Sequence, residues 1–299
     1  MKIRAFQPSD AAPLRHRFAG ETRPPWLRLP PPYALEPLLA ADEGLTRFVA
    51  ESGRGDVVGL IALDTRGDFP LLLGPLVSDE QLAELLGNKL LDQALIAAAE
   101  RGLEAVLLKA DVREERAVSF LINQGFRVLD WREYYFEARP GDDEAEADDD
   151  ASFAACPEMV SSDYAKLYQA IGSSLGRPDR ADWERAEIFE HLQNTDLLCY
   201  AARQDGRYVG VIELTRRGPN EAEMTYGGVV PDAAELWGRF VASMLRHAWA
   251  DWHLERVRLS VLAREVPPEL QALGTSGFQR RRALLLLEKP LGQARLAAR

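Results

Sequence analysis

The sequence predicts an α/β fold (a mixed α+β sheet) built twice in tandem, each copy a twisted mixed sheet with flanking helices. Three observations lead there. Short apolar runs alternate with longer segments whose apolar residues fall at helical spacing. Glycine punctuation recurs at a nearly constant offset along the chain. One acidic stretch without hydrophobic period divides the sequence in two.

The first copy reads in order. Residues 3–6 form a short strand. Ser9-Asp10 offers an N-cap for a helix reaching Phe18. Residues 24–32 are proline-rich and must be irregular. Residues 45–51 and 57–65 are strands joined by the turn Ser52-Gly53-Arg54-Gly55-Asp56. A third strand of the meander covers 71–77. Leu86, Leu90, Leu91, Ala94, Leu95 and Ala98 then mark a long helix ended by Gly102. Residues 103–110 are a buried strand, and 114–123 a helix stopped by Gly125. Residues 127–128 and 133–137 are the final strands.

The second copy repeats this. Residues 153–156 are a weak strand, 163–171 and 183–192 are helices. Strands 197–203 and 208–215 form a hairpin around Gln204-Asp205-Gly206. Residues 221–230 complete the meander. The next helix carries Trp237, Phe240, Val241, Met244, Leu245, Ala248 and Trp252 on one face. A strand at 256–262, a short helix, Gly277-Phe278 and a strand at 283–288 follow.

The two copies align by their punctuation. Val58-Gly59-Leu60-Ile61-Ala62-Leu63 matches Val209-Gly210-Val211-Ile212-Glu213-Leu214 at an offset of 151. Leu73-Gly74-Pro75 and Val77 match Tyr226-Gly227-Gly228 and Val230 at 153, and Gly125-Phe126 matches Gly277-Phe278 at 152. Matches in one order at nearly one offset indicate an internal duplication. The expected domains are therefore 1–138, a linker at 139–152, and 153–299. Within the linker, residues 141–150 hold seven carboxylates: Asp142, Asp143, Glu144, Glu146, Asp148, Asp149 and Asp150. Like charges at that density repel and bury nothing, so this stretch reads as solvated.

Composition narrows the function. Of 299 residues, 46% are apolar and 28% charged, the balance of a globular protein. A net charge of −11 argues against nucleic-acid or anionic-membrane partners, which need a basic face. No apolar run is long enough for a spanning helix. The start, Met1-Lys2-Ile3-Arg4, lacks the long apolar core of a secretory signal, so the expectation is cytoplasmic. Two cysteines, Cys156 and Cys199, make no disulfide framework, and four scattered histidines suggest no metal.

The most specific segment is Glu115-Arg116-Ala117-Val118-Ser119-Phe120-Leu121-Ile122-Asn123-Gln124-Gly125-Phe126. With the order of elements, it resembles the GCN5-related N-acetyltransferase (GNAT) superfamily over nearly the whole chain, twice. The resemblance implies acetyl-CoA as cofactor, and a small-molecule amine or a peptide amine as acceptor. It also implies a cofactor site at the end of the third meander strand and the start of the long helix. Those positions here are Leu76, Val77, Leu82, Ala83, Glu84, Leu85, Leu86 and Gly87. In the family a glycine-rich loop there wraps the diphosphate and a helix N-terminus faces it.

Departures from the pattern are specific. The segment Leu82-Ala83-Glu84-Leu85-Leu86-Gly87 keeps the loop's length and one glycine, lacks its initial cation, and adds the carboxylate of Glu84. Pro75 removes a backbone donor from the strand that would pair with the pantetheine arm. In the second copy the loop is three residues shorter, Gly87 falls opposite Trp237, and Asp232 and Glu235 sit where carboxylates cap a helix. The family's proton-donating tyrosine is Leu121 in one copy and Leu273 in the other, and neither is an acid. No catalytic residue is assigned. Candidate bases are Asp79, Glu80, Asp111 and Glu114 in the first copy and Glu213 and Glu223 in the second; His247 and His253 read as boundary residues. The expected function is an acyl-CoA-dependent N-acetyltransferase acting on an unidentified amine, with cofactor in the first copy. The alternative is an inactive tandem scaffold or ligand-sensing pseudoenzyme.

Overall fold

The structure is a computed structural model describing residues 1–18, 35–40, 42, 44–67, 69–78, 81–141, 153–156, 159–172, 180, 182–264 and 273–291. The proline-rich segment 24–32, the acidic residues 142–150, and Asp79 and Glu80 lie outside them. Two compact units form: Met1–Arg132 with Leu284–Arg299, and Glu133–Ala283. The division falls inside two long strands rather than at the acidic stretch.

Unit 1 begins with β1 (Lys2–Ala5), α1 (Ala11–Phe18) and α2 (Leu35–Leu39). The meander follows as β2 (Leu45–Glu51), β3 (Val57–Asp64) and β4 (Leu71–Val77). Then come α3 (Ala83–Glu100), β5 (Ala105–Asp111) and α4 (Glu115–Asn123). Pairing is antiparallel along β1-β2-β3-β4 and parallel between β4 and β5. Residues 284–290, from the far end of the chain, pair antiparallel with β5. Every residue of β3 is buried, which a strand covered on both faces requires and its apolar run allows.

Unit 2 repeats the plan. Its strands are β7 (Phe153–Ala155), β8 (Leu197–Gln204), β9 (Arg207–Gly218), β10 (Glu221–Val229) and β11 (Arg256–Ala263). Its helices are α5 (Ser161–Ile171), α6 (Arg185–Leu192) and α7 (Trp237–Ala250). Pairing is antiparallel along β7-β8-β9-β10 and parallel between β10 and β11. The strand beside β11 is β6 (Arg127–Ala138), whose residues 133–138 belong to this unit. The chain's last strand, β12 (Gln279–Pro290), starts in unit 2 and supplies residues 284–290 to unit 1. Residues 133–138 thus serve unit 2 and residues 284–290 unit 1, each from the other half of the sequence.

The repeated Val-Gly pairs mark where a helix lies on the sheet. A Cβ on Gly59 would stand 3.1 Å from Leu90 Cδ1 of α3, and one on Gly210 would stand 3.1 Å from Phe240 Cε1 of α7. Glycine lets the helix approach the strand in both units. The Gly-Phe pairs are equally alike. Gly125 (φ 80°) and Gly277 (φ 99°) occupy the left-handed region, and Phe126 and Phe278 behind them are buried. Leu86, Leu90, Leu91, Ala94 and Ala98 of α3 pack into one core cluster, and the apolar face of α7 into the other.

Four local expectations change. Asp10 does not cap the first helix. Gln7 occupies that place, and the Asp10 carboxylate turns back to accept the Gln7 N–H (2.7 Å) and two bonds from Arg4 (2.8 Å). Residues 83–87, expected as loop, are already helical, because Ala83, Leu86 and Gly87 join the buried face that continues to Ala98. Residues 127–128 and 133–137 are one strand, since exposed Asp130 and Arg132 between them do not interrupt the backbone ladder. The last strand starts at Gln279, ahead of the apolar residues that revealed it.

Candidate functional site

In unit 1 the parallel strands part early. Only Leu71↔Leu107 and Leu72↔Leu108 are paired between β4 and β5. Beyond them β4 stays with β3 as far as Gly59↔Val77, while β5 stays with residues 284–290. Leu76 and Val77 lie past the last β4–β5 pair, and both are buried. Gly74 (φ 105°) and the cis Gly74–Pro75 peptide lie between Leu73 and Leu76, where the β3–β4 register also shifts.

Just past β4, α3 presents its N-terminus. Leu82 is the N-cap position. The helical ladder opens with Leu86 N–H to Leu82 C=O (2.8 Å), so the amides of Ala83, Glu84 and Leu85 precede it. Ala83, Leu86 and Gly87 are buried, whereas Glu84 and Leu85 face outward. Glu84 is 3.6 Å from Arg116 at the start of α4, both more than half exposed. A cation therefore stands near this helix end, although none lies in 82–87. Leu121 is buried in the apolar core, so it is a packing residue. Asp111 is held by Arg113 through bonds of 2.9 and 2.7 Å, and Glu114 is the N-cap position of α4.

Unit 2 closes the corresponding place. A short 3-10 turn, Pro231–Leu236, runs directly into α7. Trp237 is buried, and its ring lies against Gly227 of β10, where a Cβ would come 3.1 Å from the indole. Asp232 is ion-paired with Arg207. Leu273 is buried in the core. His247 bonds Asp251 (Nδ1 to Oδ2, 2.6 Å) and packs on Tyr200 and Trp252; His253 has a positive φ.

Unit 2 also holds titratable groups of its own. β10 and β11 pair only at residues 221–223 with 256–258 before they part. Beyond that point Ser260 of β11 donates to Glu133 Oε1 (2.6 Å), and burial pushes the neighbouring Tyr135 phenol well above its ordinary range. Glu223 accepts from Arg217 Nε at 2.9 Å. Glu213 is fully buried and is bonded by Tyr168, Arg180 and His191. Burial alone would raise its carboxyl pKa, but His191, the Arg180 charge and Tyr168 together hold it below the ordinary range. Already bonded and ionised, Glu213 is a poor general base. The sequence reading named Glu213 and Glu223. It missed Tyr135, Glu133 and Ser260, whose meeting depends on β6 lying beside β11.

A cleft of about 650 Å³ in unit 2 is lined by α5, α6, β7 and β8, with Trp252, Phe189, Cys156 and Cys199 on its wall. The two thiols are cross-strand neighbours, Cys156 N–H donating to Cys199 C=O (3.1 Å), and both are free. Burial pushes the Cys199 thiol up to about 12 and Cys156 higher still. No group of three or more metal-ligating side chains occurs, and no helix is long and apolar enough to cross a membrane, among the described residues.

Comparison with known proteins places the fold. No protein-family profile matches the chain, and no curated protein matches it. Many solved structures do. A GCN5-related N-acetyltransferase from Sphaerobacter thermophilus superposes with a TM-score of 0.67 at 13% identity, over 97% of this chain and 95% of that one. A tandem GNAT protein from the clavulanic acid biosynthesis pathway, solved without AcCoA, gives 0.60 at 14% identity, over 97% and 98%. A GNAT-family acetyltransferase from Colwellia psychrerythraea gives 0.53 at 14% identity, over 96% and 99%. The chain has the GNAT fold, in the tandem arrangement that its internal repeat announced.

Proposed function

We propose that the protein is an acetyl-CoA-dependent N-acetyltransferase acting on an amine, with the cofactor held by unit 1. The observation that carries this reading is the early parting of β4 and β5 with the first turn of α3 just beyond β4. That combination offers an open strand edge to an extended amide chain and backbone N–H groups to a diphosphate. The residues fit the group. Leu76 and Val77 would line the arm, and the amides of Ala83, Glu84 and Leu85 would receive the phosphate oxygens. Leu82, Leu86 and Gly87 set the helix against the strand. Glu84 opposes an anion there, and Arg116 offsets it.

Bound acetyl-CoA supplies an acetyl thioester that an amine can attack. The chain's own contribution is positioning and backbone polarisation, because Leu121 and Leu273 donate no proton. In unit 2 the indole of Trp237 fills the matching place, so one cofactor per chain is expected.

The experiment is a coupled assay: acetyl-CoA with a panel of small primary amines and peptide amines, following release of the CoA thiol. Amine-dependent thiol release supports the reading. Binding without release would support the ligand-sensing alternative, and neither would remove both.

A further inference from the structure

The cleft of about 650 Å³ in unit 2 differs in kind from other clefts of that unit. Of the thirteen described residues lining it, none carries a charge, in a chain whose residues are 28% charged. Two further clefts of unit 2, of about 580 and 530 Å³, hold five charged side chains each. Asp163, Lys166, Arg203, Arg207 and Asp232 line one, and Arg139, Arg217, Glu221, Glu255 and Arg256 the other. The local fold explains the uncharged opening. β7 has three residues and pairs with Tyr200–Ala202 of β8, with one further bond from Cys156 to Cys199. Leu197 and Leu198 of β8 lie past its reach, and α5 and α6 supply facing walls.

Three observations say what this cleft accepts. The first is at its floor. Tyr164 is 2% exposed, its hydroxyl bonds the thiols of Cys156 and Cys199, and burial keeps both thiols protonated. The polar groups there are neutral and partnered with one another. An ion entering would leave its water and meet no opposite charge. The second is at its walls. Phe189 of α6 is 59% exposed and Val160 58%, and both line the cleft. Apolar surface left to water here is surface that an apolar occupant would cover. The third is a broken local rule. Val160 is the N-cap position of α5. Valine is among the poorest N-cap residues, and at this exposure it gains no packing in return.

We propose that the cleft is a binding site for an uncharged, mainly apolar small molecule, which covers Phe189 and Val160 and reaches the floor at Tyr164. Charge complementarity carries the assignment, since the cleft offers an ion no partner and offers a neutral molecule a matching surface. Phe189, Tyr164 and Trp252 among its lining suit an aromatic ring. The site stands apart from the acetyl-transfer reading and does not depend on it.

The test titrates the full chain with two fluorescent probes. N-phenyl-1-naphthylamine is neutral at pH 7, and 8-anilinonaphthalene-1-sulfonate is the same ring system with a sulfonate added. Saturable binding of one neutral probe per chain is expected, about tenfold tighter than binding of the sulfonate. Phe189→Ala and Val160→Asp should each weaken the neutral probe by about threefold or more. Both should leave thermal unfolding close to that of the wild type, because both positions are exposed and aspartate suits an N-cap. No saturable binding, a sulfonate bound as tightly as the neutral probe, or an affinity that neither variant changes would overturn the proposal. So would light scattering that shows the wild type as a dimer and both variants as monomers, since a second copy of the chain would then cover the cleft.

Discussion

Glu84 is the one acidic side chain in the first turn of α3, and reversing its charge tests the cofactor assignment without disturbing the core. Its side chain is 61% exposed, and Arg116 stands 3.6 Å from it. Two unit charges about 7 Å apart in water interact by about 0.6 kcal/mol. Glu84→Lys changes the charge by two units against a diphosphate carrying roughly two, which is about 2.4 kcal/mol before screening. A Debye length of about 8 Å at physiological salt leaves about 1 kcal/mol, close to a fivefold gain in affinity. The lost Glu84–Arg116 pair subtracts from folding stability by at most about 1 kcal/mol and hardly from binding, because both partners are exposed. The assay is calorimetric titration with acetyl-CoA at low, physiological and high salt. The gain should shrink toward about twofold near 0.5 M salt. Glu235→Lys, at the matching place in unit 2, should leave affinity unchanged. If Glu84→Lys binds no tighter at low salt while Glu235→Lys shifts the affinity, the diphosphate is not at α3.

Further outcomes follow from the same geometry. Arg116→Glu should weaken acetyl-CoA binding several-fold at low salt, since it removes the cation that stands nearest Glu84; a salt-independent effect would contradict the charge argument. Gly210→Ala should destabilise unit 2 by about 1–3 kcal/mol in urea unfolding, because the new Cβ meets Val229 Cγ1 at 2.7 Å and Phe240. Arg4→Gln should lower stability at pH 7 by about 1–3 kcal/mol by stranding buried Asp10. Arg4 holds the Asp10 carboxyl below its ordinary value, so this contribution is present above about pH 4 and lost as pH falls through the depressed pKa. Denaturation curves of the two proteins should converge in acid. Burial keeps both thiols protonated, so Cys156 and Cys199 should react slowly with a maleimide in the native protein at pH 7 and rapidly after unfolding.

The sequence is most legible where one local constraint acts alone. The Val-Gly and Gly-Phe pairs mark a close helix crossing and a left-handed helix stop, and both devices recur in each unit. Strands β2 and β4 match their apolar runs residue for residue. At the start of α3 the family pattern suggests a loop, whereas the burial of Ala83, Leu86 and Gly87 extends the helix. The exchange of strands between halves has no local signature. Residues 284–290 look the same whether they pair with β11 or β5. The bonding around Glu213 draws on residues from three elements and an intervening segment, and no spacing joins Tyr168, Arg180 and His191. What the sequence does show is the contrast at one aligned position, a glutamate where the other copy has alanine.

The most direct test of the account is a crystal structure of the protein grown with saturating acetyl-CoA. It should show one cofactor per chain, the diphosphate against the amides of Ala83, Glu84 and Leu85 and the pantetheine arm along Leu76 and Val77. A cofactor at the start of α7, with Trp237 displaced from Gly227, or no cofactor in either unit, would contradict it.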